Sequence, residues 1–415
     1  MIFRVVTEAQ LEQVKDLWDY CFEKKDDPFF QYYFNEYCVK GNTVLGGFEN
    51  VDDWDCLQTM VHINPYKLNL RGQEQLVPYL VGVATAPEAR GKHLMGSLMK
   101  TTFEVLRSQG IAFVTLMPIF AGIYLPYEFA FCYEKLKYTW KTGSLPLPKL
   151  SAVAKAKTLV RMQVANGNGE EGAPLYDEAL QQILGYVYDE VTSGYHGVPQ
   201  RNDYQWDKLL STHALEKVQA AVVHEKGEPK GYMLYRIADN CLQIIELLAK
   251  DMDVRRRLLA FADAHLSEAK TCEFLAEPWD KSYLYFKDAG LAPQKLPFMM
   301  ARCLDARKAL EQLQVAPEAL QGIEESLVLL LNDSVIERNN QLLELRVQDG
   351  ELEVEKSIDK EQVAMDMASF TQLYFGALSA TELWEMGKLQ CTDAKKVELL
   401  DKLLPKQRNW INEYF

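Results

Sequence analysis

The stretch "LVGVATAPEARGKHLMGSLMKTTFEVL", residues 80–106, decides the fold. Its first residues, Val81 to Thr85, are mostly apolar and read as a buried strand. Pro87 breaks that run in a turn, and a helix is predicted from near Leu94, closed by Gly110 as a glycine closes a helix end. Arg90, Gly91 and Lys92 stand at the junction. A helix start exposes unpaired N–H groups and a partial positive charge, so it can bind a pyrophosphate. Gly91 lets the backbone come close, and Arg90 or Lys92 adds charge.

Outward from this unit, strands and helices alternate over residues 1–140. "TEAQLEQVKDLWDYCF" (7–22) begins with a capping-box pattern, Thr7 with Gln10, and sets Leu11, Val14, Trp18, Cys21 and Phe22 on one helical face. "DPFFQYYFNEYC" (27–38) reads as a second, aromatic helix. "NTVLGGFE" (42–49), "LQTMVHINPYKLNL" (57–70), "IAFVTLMPI" (111–119) and "AFCYEKLKYTW" (130–140) read as strands. Turn-rich stretches follow, "KTGSLPLPKL" (141–150) and "NGNGEEGAP" (166–174), and a domain boundary is expected there.

Beyond that boundary the order repeats. Three strands in residues 218–251, a helix "VRRRLLAFADAHLSEAK" (254–270) and a strand "CEFLAEP" (272–278) copy the first layout without copying its residues. From residue 305 the pattern changes. A hairpin (341–356) turns at Asp349-Gly350, "VAMDM" (363–367) alternates as a strand, and short helices lead to "TDAKKVELLDKLL" (392–404), stopped by Pro405. The expected domains are therefore 1–145, 155–300 and 305–415, of mixed α+β and α/β class. The chain then closes on "RNWINEYF" (408–415), an apolar end where small polar residues are usual.

Composition narrows the function. The 415 residues carry 59 acidic and 45 basic side chains, a net charge of −14. A nucleic-acid backbone needs a basic face, so no nucleic-acid partner is expected, whereas a negative field favours cationic ligands. No segment has the apolar length of a membrane span, and no secretory leader is apparent, so a cytoplasmic protein without membrane contact is expected. The eight cysteines form no C-x-x-C pair, and the six histidines show no ligand spacing. Isolated buried thiols and no metal are expected.

Residues 80–106 resemble the coenzyme A loop of the GCN5-related N-acetyltransferases, [RQ]-x-x-G-x-[GA] after a strand. Arg90 matches the first position, while His93 and Met95 stand where the pattern has smaller residues; His93 fits the turn with a negative φ. In "MPIFAGIYLPYEFAF" (117–131), Tyr124, Tyr127 and Phe129 match the family's Y-x-x-[LF]-G-[FY], with Glu128 in place of the glycine. Over its whole length the chain resembles the Eis (enhanced intracellular survival) family: an acetyltransferase domain, a degenerate second copy and a sterol-carrier-like domain.

That resemblance implies an acetyl-CoA-dependent N-acetyltransferase acting on a cationic amine: an aminoglycoside, a polyamine or a lysine. It implies acetyl-CoA contacts from Val83, Ala84 and Thr85, from Arg90, Gly91, Lys92, His93, Leu94, Met95 and Gly96, and from Ile119 and Phe120. Tyr124 is implied as general acid, with Tyr127 as second candidate, since a phenol is protonated at neutral pH. The α-carboxylate of Phe415 is implied as general base, and a homohexamer as the assembly. Phe22, Asp26, Phe30 and Glu413, with Asp27, Phe29 and Tyr33, are the candidates for the amine pocket; Lys24 stands where aminoglycoside-modifying members can have an acid. In the second copy "LAKDMDVRRRLLAF" (248–261) replaces the loop, so one active site per chain is expected, and its three arginines read as a solvated helix face. The alternatives are an apolar-ligand carrier and an inactive scaffold.

Overall fold

The computed structural model describes all residues except 52–53, 146–156, 166–174, 286–291, 316–319, 322 and 415. Much of the expected boundary region thus lies outside the described residues. The chain forms two compact units, one of Met1–Tyr133, His196–Gln200 and Phe298–Phe415, the other of Glu134–Tyr195 and Arg201–Pro297.

In the first unit, strand β1 (Ile2–Val5) leads through a 3-10 turn (Glu8–Gln10) into helix α1 (Leu11–Cys21). The Thr7–Gln10 capping box is present, and it closes the 3-10 turn rather than α1. The expected second helix has three parts: α2 (Pro28–Tyr32), a π-helical turn (Tyr33–Tyr37) and α3 (Cys38–Gly41). Then come β2 (Thr43–Val51), β3 (Trp54–Asn64), the small hairpin β4 (Lys67–Leu70) and β5 (Gln73–Leu76), and β6 (Tyr79–Thr85). Helix α4 (Leu94–Ser108), β7 (Phe113–Leu116) and β8 (Ala130–Phe131) follow.

The sheet order is β1-β2-β3-β6-β7, then strand Met300–Cys303, then β8. Helix α4 lays Leu98, Met99, Phe103 and Leu106 on Val61, Ile63, Leu80 and Val114 of this sheet, all of them buried. Burying such side chains stabilises by roughly 1.5–3 kcal/mol each, which holds the strand–turn–helix in place.

The second unit has its own seven-stranded sheet: Thr158–Gln163, Gln219–Glu225, Glu228–Ala238, Cys241–Ala249, Thr271–Ala276, Glu134–Lys141 and Gln294–Pro297. Each compact unit is assembled from separate stretches of the chain. "AFCYEKLKYTW", read as one strand of the first domain, divides: Ala130–Phe131 stays in the first sheet and Glu134–Lys141 lies between two strands of the second. Strand Met300–Cys303, from the far end of the second copy, in turn pairs with β7 and β8. Periodicity identifies strands but not which sheet each joins.

The last segment forms a five-stranded sheet ordered Glu351–Lys356, Gln341–Gln348, Glu325–Asn332, Val363–Asp366 and Leu389–Cys391. Its hairpin turns on Asp349 and Gly350, both with positive φ (53° and 81°), as a tight turn of this kind requires. Helix Met367–Phe375 shares one apolar core with β7 and the strand Met300–Cys303; Phe113 lies 4.6 Å from Tyr374, ring centroid to ring centroid. All eight cysteines are free, but only Cys38, Cys132, Cys272 and Cys303 are buried.

Candidate active site

The site grows from the parting of β6 and β7. Their parallel ladder is formed at one register, Tyr79 opposite Thr115, while β6 runs on to Thr85. On its other edge β6 stays paired with β3: Thr59 lies opposite Thr85 and Met60 opposite Ala84. Between Met60–Ala84 and His62–Val81, two residues of β6, Gly82 and Val83, face the single Val61. This is a β-bulge, and Gly82 takes the left-handed φ of +57° that it needs. On the side away from β3, no strand pairing is formed along Val83 to Thr85 among the described residues.

Past β6 the chain makes a 3-10 turn (Pro87–Ala89) and reaches α4 through Gly91 at φ +79° and His93 at φ +55°. The expected negative φ at His93 is corrected; a histidine tolerates the left-handed region better than a β-branched residue does. No side chain caps α4 and no acidic residue stands in its first turn. Its first N–H groups, on Leu94, Met95 and Gly96, are therefore available to an anion. A Cβ on Gly91 meets nothing within 4 Å, so space is open there. Arg90 donates from Nε to the Thr85 carbonyl at 3.3 Å, and exposed Lys92 lies 3.7 Å from Glu49.

After β7, Ile119 (90 % exposed) and Phe120 (67 %) lead into two 3-10 turns, Ala121–Ile123 and Leu125–Tyr127. Tyr124 sits at their junction, partly buried, its ring edge-on to Phe129 at 5.9 Å. Burial raises its pKa, so the phenol stays protonated at neutral pH. Tyr127 turns its hydroxyl toward Gly96 in the first turn of α4, 3.3 Å from where a Cβ would stand.

The tail is anchored in the first unit. His196 donates its backbone N–H to Arg408 at 2.9 Å and accepts from Trp410 at 3.0 Å. Its side chain accepts the Arg71 N–H at Nε2 (2.9 Å), so Nδ1 carries the proton and donates to Asn409 at 2.6 Å. Asn409 in turn donates to the Cys132 carbonyl at 3.0 Å. Trp410, Ile411, Asn412 and Glu413 are all buried, and Tyr414 packs on Phe298. Tyr79, at the parting of the two strands, is pushed to a higher pKa by burial first and then by neighbouring Glu413, Tyr414 and Tyr124. Phe415 lies outside the described residues.

On the acceptor side, Phe22 is partly exposed and packs on Trp18 at 4.9 Å. Trp18 donates to Glu23 at 2.8 Å. Phe30, expected to line the pocket, is 2 % exposed and lies 4.5 Å from Phe34, inside the aromatic cluster. Asp27 caps α2 through the Phe29 N–H at 2.7 Å, while Asp26 is exposed. Tyr33 accepts from Asn42 (3.1 Å) and donates to Nδ1 of His62 (2.7 Å), whose pKa burial lowers to about 3. Three features had no sequence reading: the Gly82 bulge, the His196 anchor and the partners of Glu128. Only the last left a signal, an acidic residue where the motif has glycine.

Family models for an acetyltransferase (GNAT) domain match residues 3–132 and 197–303, and a sterol carrier protein domain model matches 306–412. The chain belongs to the GNAT acetyltransferases. No curated protein sequence matches it. Among solved structures, a conserved protein of unknown function and probable N-acyltransferase from Enterococcus faecalis is 23 % identical over 100 % of this chain and 99 % of that one, with a TM-score of 0.84. A GCN5-related N-acetyltransferase from Anabaena variabilis is 17 % identical over the whole of both chains, with a TM-score of 0.78. Eis1 from Mycobacterium abscessus is 15 % identical over the whole of both, with a TM-score of 0.73. The fold is Eis-like: tandem GNAT folds and a sterol-carrier-like domain.

Within that frame the two GNAT copies differ where the cosubstrate loop belongs. Helix Met252–Asp263 holds the place of α4, and Asp251 caps it by accepting the Val254 N–H at 2.8 Å. Asp253 pairs with Arg256. Arg255, expected in a solvated face, is buried and binds Glu277 at 2.7 Å and Asp280 at 3.3 Å. One helix start is satisfied by its own carboxylate, the other is open. Among the described residues, no group of three or more His, Cys, Asp or Glu is placed to hold a metal ion, and no helix is long and apolar enough to cross a membrane.

Proposed function

We propose that the chain transfers an acetyl group from acetyl-CoA to a primary amine of a cationic acceptor, by direct attack within a ternary complex. The observation that carries this reading is the uncapped start of α4 beside the parting of β6 and β7, with Tyr124 on the turn after β7. The first-turn amides with Gly91, Arg90, Lys92 and His93 suit a pyrophosphate. The peptide groups of Val83, Ala84 and Thr85 suit the pantetheine arm and polarise the thioester carbonyl. Ile119 and Phe120 supply an apolar edge. Bound acetyl-CoA supplies the activated acyl group.

Tyr124 is the general acid, protonating the leaving thiolate. The base that takes the ammonium proton is the α-carboxylate of Phe415, a role taken from the Eis resemblance. Phe22, Asp26 and Glu413 frame the amine, and Phe30 supports that wall from within. The acceptor is a polyamine, an aminoglycoside or a lysine side chain, in keeping with the net charge of −14. A cytosolic homohexamer is the assembly that the resemblance suggests.

The test is release of free thiol from acetyl-CoA with spermidine, kanamycin and a lysine peptide. Tyr124→Phe is expected to lower kcat about 100-fold at unchanged acetyl-CoA affinity. One alanine added after Phe415 is expected to lower it comparably. Unchanged turnover in both variants contradicts the assignment.

A further inference from the structure

Glu128 stands where the motif has a glycine, and it keeps the glycine's backbone, φ +62° and ψ +25°. A residue with a Cβ in this region costs on the order of 1 kcal/mol and persists where its surroundings hold it. The side chain explains the cost. One carboxylate oxygen accepts from the Ser334 N–H at 2.9 Å and from its hydroxyl at 2.6 Å. The other accepts from the N–H groups of Met367 and Ala368 at 3.1 and 3.3 Å. Those two amides open helix Met367–Phe375, whose Asp366 cap accepts from Ser369 and leaves them to Glu128. A carboxylate at a helix start, accepting four donors, is a strong and directional tie.

At its other end Glu128 closes the turn of Tyr124. Its own N–H donates to Leu125 at 3.0 Å, Tyr127 donates to Tyr124 at 2.9 Å, and Tyr124 donates to Ala121 at 2.8 Å. Ala121, Tyr124 and Tyr127 of this turn pack against the apolar core, while Ile123 and Leu125 are exposed, so one face of the turn is held by hydrogen bonds and not by packing. We infer that Glu128 is a positioning residue for Tyr124: its carboxylate, gripped by Ser334 and the start of helix Met367–Phe375, fixes the turn that aims the phenol. On this account the sterol-carrier-like domain is the brace of the acetyltransferase turn. The inference rests on the proposed role of Tyr124.

Glu128→Gly separates aim from folding, because glycine accepts the positive φ and removes only the carboxylate. Amide hydrogen exchange over residues 121–128 is expected to quicken at least tenfold, together with the Ser334, Met367 and Ala368 amides that lose their acceptor, and with the rest of the chain unchanged. In the thiol-release assay kcat is expected to fall about 10- to 100-fold, the KM for acetyl-CoA staying within twofold. Glu128→Gln, which keeps one acceptor oxygen, is expected to restore part of the rate, and Ser334→Ala to lose less than Glu128→Gly. Unchanged exchange, or unchanged kcat in Glu128→Gly, overturns the inference. If Tyr124→Phe slows turnover while Glu128→Gly does not, the catalytic reading survives and the brace fails. A wild type that acetylates no amine of the panel counts against the acceptor class, and the exchange measurement still decides the brace.

Discussion

At the residue scale, the site depends on a few backbone positions with positive φ. Gly82 is the most constrained: a Cβ there lies 2.4 Å from the Trp18 ring and 3.1 Å from the His62 ring. Gly82→Ala must therefore move Trp18 and strain the bulge together, at a cost of about 2–4 kcal/mol. Denaturant unfolding measures the loss, and acetyl-CoA titration should show weaker binding, because the bulge sets the edge of Val83 to Thr85. A Gly82→Ala protein of unchanged stability contradicts the geometry. At this scale the sequence was readable where a residue type implies a backbone state. Gly91 and Gly110 have the positive φ of tight turns. His93 and Glu128 hid theirs, because neither residue type implies that state; Glu128 is held by partners far along the chain, Ser334, Met367 and Ala368.

At the scale of elements, the contrast between two helix starts is what supports the proposed place of the cosubstrate. Helix Met252–Asp263 is capped by Asp251, and α4 by no side chain. Giving α4 an acid of its own, His93→Asp, sets a carboxylate against the pyrophosphate. Acetyl-CoA is expected to bind about tenfold more weakly, with a melting temperature at or above that of the parent. Equal affinity in the variant argues that the anion sits elsewhere. The element types were legible because their signals are local: the one-faced stripe of Leu11, Val14 and Trp18 in α1, the Asp349-Gly350 turn, the break at Pro405. Membership of sheets was not. Glu134–Lys141 and Met300–Cys303 cross between the two sheets, and the buried partners of Arg255 come from beyond its helix.

At the scale of the whole molecule, acid is the expected weakness. Burial holds His62 at about 3 and His196 and His213 at about 4, all below the ordinary 6.5. Each is neutral when folded and takes a proton first when unfolded, so its contribution to stability is intact above pH 6.5 and declines as pH falls toward the folded value. By pH 5 the loss is about 2 kcal/mol for each histidine. Denaturant midpoints should drop between pH 7.5 and pH 5, and His213→Gln should flatten the slope; a midpoint constant over that range contradicts the burial. His196 also ties Arg71 to Asn409 and the tail, so acid loosens the same segment that is proposed to supply the base. The central claim is that one chain has two GNAT folds and one working cleft, in the first. Calorimetric titration with acetyl-CoA tests it most directly. One equivalent bound per chain is predicted; two equivalents, or none, would contradict it.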